Sequence, residues 1–175
     1  MELPYKEIPS YPVDYSAGNV VSRMIDGLGY RYYWATEGLT EKDLAYKPSK
    51  DGRTILETLE HIHTLSNNIL LAPDTKAFEK PRNPPKYTYG ELRAFTLKNL
   101  NAASNKVLGK SSKELENFKV IFKQRDKTFE FPYWNMINGM ISDCIHHTGQ
   151  IVLMRRASGN PQHGKVNVFL GKNRD

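Results

Sequence analysis

Asp143 and His147 lie four residues apart in a segment whose hydrophobic pattern predicts a helix. Residues three and four apart share one face of an α-helix. The other residues at that spacing are apolar: Met136, Met140, Ile151 and Met154. A carboxylate on such a stripe costs free energy unless it is paired or bound to a cation. The pair therefore predicts a metal site, with a structural ion pair as the alternative.

A metal ion that keeps one position open needs a third protein ligand to be held well. His146 is rotated by about 100° from the face that carries the pair, so it cannot easily join the same ion. His163 follows the helix in a polar turn. His61 and His63 lie on an earlier predicted helix, on opposite sides of its apolar face. Periodicity alone does not choose between these two histidines.

Composition narrows the class of protein. The chain has 175 residues, of which 39% are apolar and 25% charged, as in an ordinary globular domain. Its net charge of +6 is spread along the chain, which disfavours nucleic-acid binding. No apolar run is long enough to span a membrane, and the N-terminus does not resemble a signal peptide, so a cytoplasmic protein is expected. The single cysteine, Cys144, is expected to be a core side chain rather than a nucleophile.

Four long helices are predicted from the periodicity of apolar residues. The first covers residues 18–37 and follows an arm, residues 1–16, that contains three prolines. The second begins after Thr54 and the third after Thr88. Each of these threonines has a glutamate three residues later, which is the pattern of a capping box.

The last helix carries the Asp143 and His147 pair. It is expected to open near Pro132 and to end at Ser158 and Gly159. Two basic residues near its end, Arg155 and Arg156, are expected to complement the helix dipole rather than bind a substrate.

The segments between the helices complete the predicted fold. Residues 73–87 hold four prolines and are expected to be irregular, whereas 118–123 and 128–132 predict a β-hairpin. The tail, residues 160–175, contains an apolar stretch at 166–170, either a short strand or a strap. The chain is thus predicted to be a single all-α domain, an antiparallel four-helix bundle with a small β-hairpin insertion before the last helix.

Two of these motifs resemble the DinB/YfiT-like metalloenzyme superfamily of four-helix bundles. Thr54, Glu57 and His61 match that family's second-helix pattern of a hydroxyl residue, an acid and a histidine. Asp143 and His147 match the two ligands of its last helix, which are followed by a small segment ending in Gly-Gln. The order of elements fits as well, so the resemblance covers most of the chain as one DinB-like domain.

The resemblance selects His61 over His63. It implies that His61, Asp143 and His147 are the metal ligands. The family's commoner triad is three histidines, and Asp143 stands in place of one of them here. A set of two histidines and one carboxylate still binds divalent metals such as zinc, nickel, iron or manganese.

An enzyme that depends on a divalent metal and acts on a small molecule is the function that the resemblance implies. The ion would activate a low-molecular-weight thiol cofactor or water, as in an S-transferase or a hydrolase. A homodimer is also expected. Gln150, His146 and Tyr133 are candidates for contacts with the ligands or the substrate, while no catalytic residue is identified. The alternative is a non-catalytic stress-response binding module in which Asp143 and His147 form a structural pair.

Overall fold

The computed structural model describes residues 2–175, and it is mainly helical, as predicted. Four long helices dominate it, together with two short helices and three short strands. In chain order the elements are α1 (Ala17–Thr36), α2 (Glu41–Ala45), α3 (Ile55–Leu71), β1 (Ala77–Glu79), α4 (Tyr89–Val107), α5 (Ser112–Leu115), β2 (Lys119–Gln124), β3 (Lys127–Pro132) and α6 (Ser142–Ala157). Among the described residues, every helix is too short or too polar to cross a bilayer.

Capping boxes fix the starts of α3 and α4. The backbone N–H of Thr54 donates to Glu57 at 2.7 Å, and the N–H of Glu57 donates to the Thr54 hydroxyl at 3.1 Å. Thr88 and Glu91 form the same reciprocal pair at the start of α4. Both helices therefore begin where the sequence predicts, because the signal lies within four residues of each start.

The long helices enclose one apolar core. α1 contacts α4 and α6, and α3 contacts the same two helices. Their inward faces supply most of the buried side chains, among which the largest include Tyr30, Tyr32, Ile25, Leu28, Leu59, Ile62, Leu97 and Leu100. This packing places α3 beside α6 and so brings the two halves of the predicted metal site together.

The sheet is mixed and has one strand more than a hairpin. β2 and β3 pair antiparallel, and β1 lies parallel to β2 with Ala77 opposite Ile121. The expectation that residues 73–87 are irregular is wrong in part, because Ala72–Asp74 form a 3₁₀ turn and Ala77–Glu79 form β1. A strand of three residues is too short to show an alternation of polar and apolar side chains, and its partner β2 lies far along the chain. The local sequence pattern therefore does not predict β1.

The last helix opens near Pro132, as predicted, since Pro132 ends β3 and helical residues begin at Trp134. Met136–Ile141 form a π-helix, and α6 follows it directly. The Ser142 hydroxyl donates to the Ile137 carbonyl at 2.7 Å, five residues back. A π-helix bonds residues five apart, so Met136 and Ile141 share one face and both are fully buried, whereas Met140 is only partly buried.

Both termini pack on the helices. Tyr5 of the arm is buried, and its hydroxyl donates to the Asp26 carboxylate at 2.9 Å. Burial raises the pKa of Asp26. Residues 166–170 form no strand, since 168–170 lie in a turn, and just beyond them the Gly171 carbonyl accepts from the Ile8 N–H of the arm at 2.8 Å. The tail therefore acts as a strap over the arm.

Gly29 is where the arm meets α1. A β-carbon there would lie 2.4 Å from the Tyr5 ring, whereas one at Gly27 would meet nothing closer than Arg31 at 3.6 Å. We expect Gly29→Ala to lower the free energy of unfolding by about 1–3 kcal/mol, because the ring must move. Gly27→Ala should raise it by about 0.5–1 kcal/mol, because alanine favours a helix. Urea unfolding of both variants tests this, and equal effects would contradict the close contact.

A buried carboxylate joins α2 to the end of α6. Asp43 accepts from the Asn160 amide at 2.7 Å, from the Thr40 N–H at 2.8 Å, and from the Ser158 hydroxyl. Burial acts to raise the pKa of Asp43, but these hydrogen bonds outweigh it and hold the pKa well below its usual range.

Asp43 should therefore contribute stability that depends on pH. A carboxyl whose folded pKa lies below its unfolded pKa stabilises the protein fully above the unfolded value, near pH 4, and this stabilisation is lost as the pH falls through the folded value. We expect Asp43→Asn to lower the free energy of unfolding by about 2–4 kcal/mol at pH 7 and by progressively less below pH 4. Urea unfolding across this range measures the difference, with exposed Glu41→Gln as the control. A cost that stays constant with pH would rule out the charge as its source.

Candidate metal centre

Three predicted ligands come together between α3 and α6. His61 lies on α3, while Asp143 and His147 lie one turn apart on α6. One ligand atom from each residue can be chosen so that all three lie within 4.8 Å of one another. This cluster of two histidines and one carboxylate could hold a metal ion.

The carboxylate of Asp143 lies between the two imidazoles. Its Oδ2 is 3.3 Å from His61 Nε2, and its Oδ1 is 3.3 Å from His147 Nε2. A charge-assisted hydrogen bond is usually shorter, about 2.7–2.9 Å. Ligand atoms around a tetrahedral ion with bonds of about 2.0–2.2 Å lie about 3.3–3.6 Å apart. The two distances involve different oxygens of Asp143, and the three ligand atoms lie within 4.8 Å of one another, so the cluster is close enough to share one cation.

Gln150 fixes the orientation of His147. Its side-chain carbonyl lies 2.7 Å from His147 Nδ1, so this nitrogen carries the proton in the neutral ring. The Gln150 amide nitrogen donates to His146 Nε2 at 3.0 Å. In the neutral ring, His147 Nε2 has a lone pair that faces the Asp143 carboxylate, and a cation between these two acceptors would join them. A protonated His147 would instead donate its Nε2–H to Asp143 and form an ion pair.

Exposure departs from the sequence expectation. The side chains of Asp143, His61 and His147 are 43%, 29% and 12% exposed, so the polar part of the α6 stripe lies at the edge of the core. Burial is the largest influence on the pKa of His61 and lowers it, although the Asp143 carboxylate opposes this effect. A lowered pKa keeps His61 neutral at pH 7, as a metal ligand must be.

His63 takes no part in the cluster. Its ring packs edge-on against Tyr87 at 5.3 Å and near Phe95, and Asn67 contacts its Nε2 at 3.3 Å. Burial lowers the pKa of His63. Of the two histidines that periodicity left open, His61 is thus the one that lies beside the α6 pair.

The other sequence candidates lie apart from the three clustered side chains. His163, in the tail, packs near the Trp34 ring of α1. Cys144 is fully buried, and burial raises the pKa of its thiol, as expected of a core residue. Tyr133 packs against Phe118 and lines a hollow with α5, and its ring contacts none of the three clustered side chains. Burial raises the pKa of Tyr133.

Two hollows flank the cluster. Asp143 and His146 line an open one of about 480 Å³ beside the π-helix. His147 and Gln150 line another, of about 490 Å³, which is walled by the loop between α2 and α3 and includes Arg53. Sequence reasoning did not single out Arg53, because a lone arginine in a loop carries no periodic or motif signal.

This helical fold, with its cluster of two histidines and one carboxylate, is that of a DinB-like protein. The chain belongs to the DinB family, whose sequence model matches residues 30–166. The resemblance inferred from the motifs is therefore confirmed.

One similar solved structure is the crystal structure of the DinB-like protein YjoA from Bacillus subtilis. The two share 12% sequence identity with a TM-score of 0.60, and the match covers 89% of this chain and 99% of YjoA. At this identity the likeness shows the fold alone. No curated protein matches the chain.

Proposed function

We propose that this protein is an enzyme that depends on a divalent metal held by His61, Asp143 and His147. The observation that carries the proposal is the orientation of His147, whose Nδ1 contacts Gln150 and whose Nε2 faces Asp143 Oδ1 at 3.3 Å. Membership of the DinB family and the gathering of the three side chains support it.

A bound divalent ion would supply Lewis-acid chemistry, lowering the pKa of a thiol cofactor or of water so that either can attack an electrophile. The reaction would then be an S-transfer or a hydrolysis. Zinc, nickel, iron and manganese all suit this mixed ligand set. Asp143 makes the set one unit more negative than three histidines would be, which favours binding of the cation and weakens its polarising effect.

The chain's own residues would position the reaction. Gln150 holds the proton of His147 on Nδ1 and so keeps Nε2 free to bind. His146 accepts from Gln150 and fixes the amide in turn. The hollows on the two sides of the cluster leave room for small molecules to approach it.

The four long helices would form the antiparallel bundle typical of the family. The contacts of α1 and α3 with both α4 and α6 support this arrangement. A cytoplasmic location and a homodimer stay predictions from the sequence.

Metal content tests the proposed site directly. Protein purified without chelator or affinity metal should hold about one divalent ion per chain by elemental mass spectrometry, and His61→Ala should hold almost none. His63→Ala is the matched control, since it removes an imidazole from the same helix outside the cluster. A protein that contains no metal and gains none from zinc, nickel, manganese or iron would refute the enzyme and favour a non-catalytic binding module.

A further inference from the structure

The hollow beside His147 is built like a binding site for a small organic molecule. Its volume of about 490 Å³ lies in the range that such sites usually have. Most of its wall is apolar, and the residues responsible are Tyr46, Pro48, Leu153, Met154 and Ala157. His147 and Gln150 line the same hollow, so a molecule bound there would touch the proposed metal centre.

The exposure of Leu153 supports the interpretation of this apolar wall as a binding surface. It is 64% exposed although it lies on α6, one helix position before the buried Met154. A large apolar side chain that is exposed inside a concave wall gains by burial when a ligand covers it. The hollow on the Asp143 side differs, since it is more open and its lining mixes Asn138 and Ser142 with apolar side chains.

Arg53 supplies the charged guanidinium among the side chains that line the apolar hollow. Within residues 2–175 no carboxylate lies within ion-pair distance of it. The nearby Glu57 carboxylate is held instead by Thr54 in the α3 capping box. A guanidinium binds a carboxylate through two parallel hydrogen bonds, so Arg53 has its recognition capacity free.

We propose that this hollow binds an amphiphilic carboxylate as the substrate of the metal centre. The carboxylate would pair with Arg53, the apolar body would cover Leu153 and Met154, and the reacting end would lie beside His147. A carboxylate fits better than a phosphate monoester, because one arginine in an apolar wall balances a single negative charge and not two. This inference rests on the proposed metal-dependent function.

A matched pair of probes tests the proposal. Zinc-loaded protein is titrated with 4-phenylbutyrate and with its neutral amide, 4-phenylbutanamide, by calorimetry. The acid should bind at least about tenfold more tightly, the lower end of what a charge-assisted contact provides. Arg53→Gln should remove this preference without changing zinc content. Arg156→Gln, an exposed arginine on α6 that does not line the hollow, should keep it.

A second variant tests the apolar wall. Leu153→Glu places a negative charge in the hollow at a well-exposed position, so the fold should persist. It should weaken binding of the acid at least about tenfold, and more than that of the amide.

Two outcomes of the titrations would overturn the proposal. A preference for the acid that survives Arg53→Gln but needs zinc would mean that the carboxylate binds the metal. Equal binding of acid and amide would exclude a role for Arg53 in recognition. Zinc content distinguishes the two levels: a protein that binds zinc but not the acid refutes this inference alone, whereas a protein without a zinc site refutes the proposed function.

Discussion

Asp143→Asn should abolish stabilisation by metal while leaving the metal-free protein about as stable as the wild type. The substitution keeps the shape of the side chain and removes its charge and one strong ligand atom. The Asp143 side chain is 43% exposed, so the substitution should change the free energy of unfolding of the metal-free protein by no more than about 0.5 kcal/mol. The variant should bind the metal much more weakly, because it lacks the carboxylate ligand.

Thermal unfolding with and without zinc measures this difference. Free metal at a hundred times its Kd stabilises a folded protein by about 2.7 kcal/mol. For a domain of this size that corresponds to an increase of about 5–10 °C in Tm. We expect this increase in the wild type and almost none in Asp143→Asn. Glu60→Gln serves as the control, because Glu60 is exposed next to His61 and lies outside the cluster.

Asp143→His adds a second test of the ligand role. It would create the three-histidine set that the family resemblance implies as the commoner one, so stabilisation by zinc should be retained. If Asp143 were half of a structural ion pair, asparagine and histidine would both lower the stability of the metal-free protein. Destabilisation of both variants without zinc would therefore contradict the metal site.

Local signals explain why the long helices were predictable. Thr54 with Glu57 and Thr88 with Glu91 start α3 and α4 through hydrogen bonds that span only three residues. β1 was not predictable, because a three-residue strand depends on its pairing with β2, more than forty residues further along the chain. The π-helix was missed for a related reason, since its residues carry the same apolar pattern that an α-helix would show.

The members of the candidate metal site were predictable to different degrees. Asp143 and His147 followed from spacing on one helix, but the third member of the cluster depended on which side of α3 faces α6. His61 and His63 flank the same apolar face, so the choice came from the family resemblance and from no physical signal in the helix. No sequence pattern identified Arg53 as a candidate site residue, because its proposed role depends on the hollow that it lines together with residues of α6.

Arg155 illustrates how tertiary contacts override a local expectation. It was expected to complement the dipole of its own helix, yet it is buried and donates to the Trp34 carbonyl at 3.1 Å and the Ala35 carbonyl at 3.0 Å. These belong to the last turn of α1, whose carbonyls have no partner within that helix. The neighbouring carbonyls of this turn accept from other side chains, Tyr33 from Arg93 and Thr36 from Tyr89. Side chains thus satisfy the whole C-terminus of α1.

We expect Arg155→Met to lower the free energy of unfolding by about 3–5 kcal/mol. Methionine fills similar space but leaves the Trp34 and Ala35 carbonyls unpaired, together with the Asn160 carbonyl that accepts from Arg155 Nε at 2.7 Å. Arg155→Lys should recover only part of the loss, because an ammonium cannot span the same acceptors.

Urea unfolding of Arg155→Met beside Arg156→Met tests this role with adjacent arginines. Arg156 is exposed, so its replacement should change the free energy of unfolding by about 0.5 kcal/mol or less. If complementing the dipole of α6 were the main role of both residues, the two variants would lose similar, small amounts of stability. A large loss confined to Arg155→Met would instead identify the C-terminus of α1 as what this arginine stabilises.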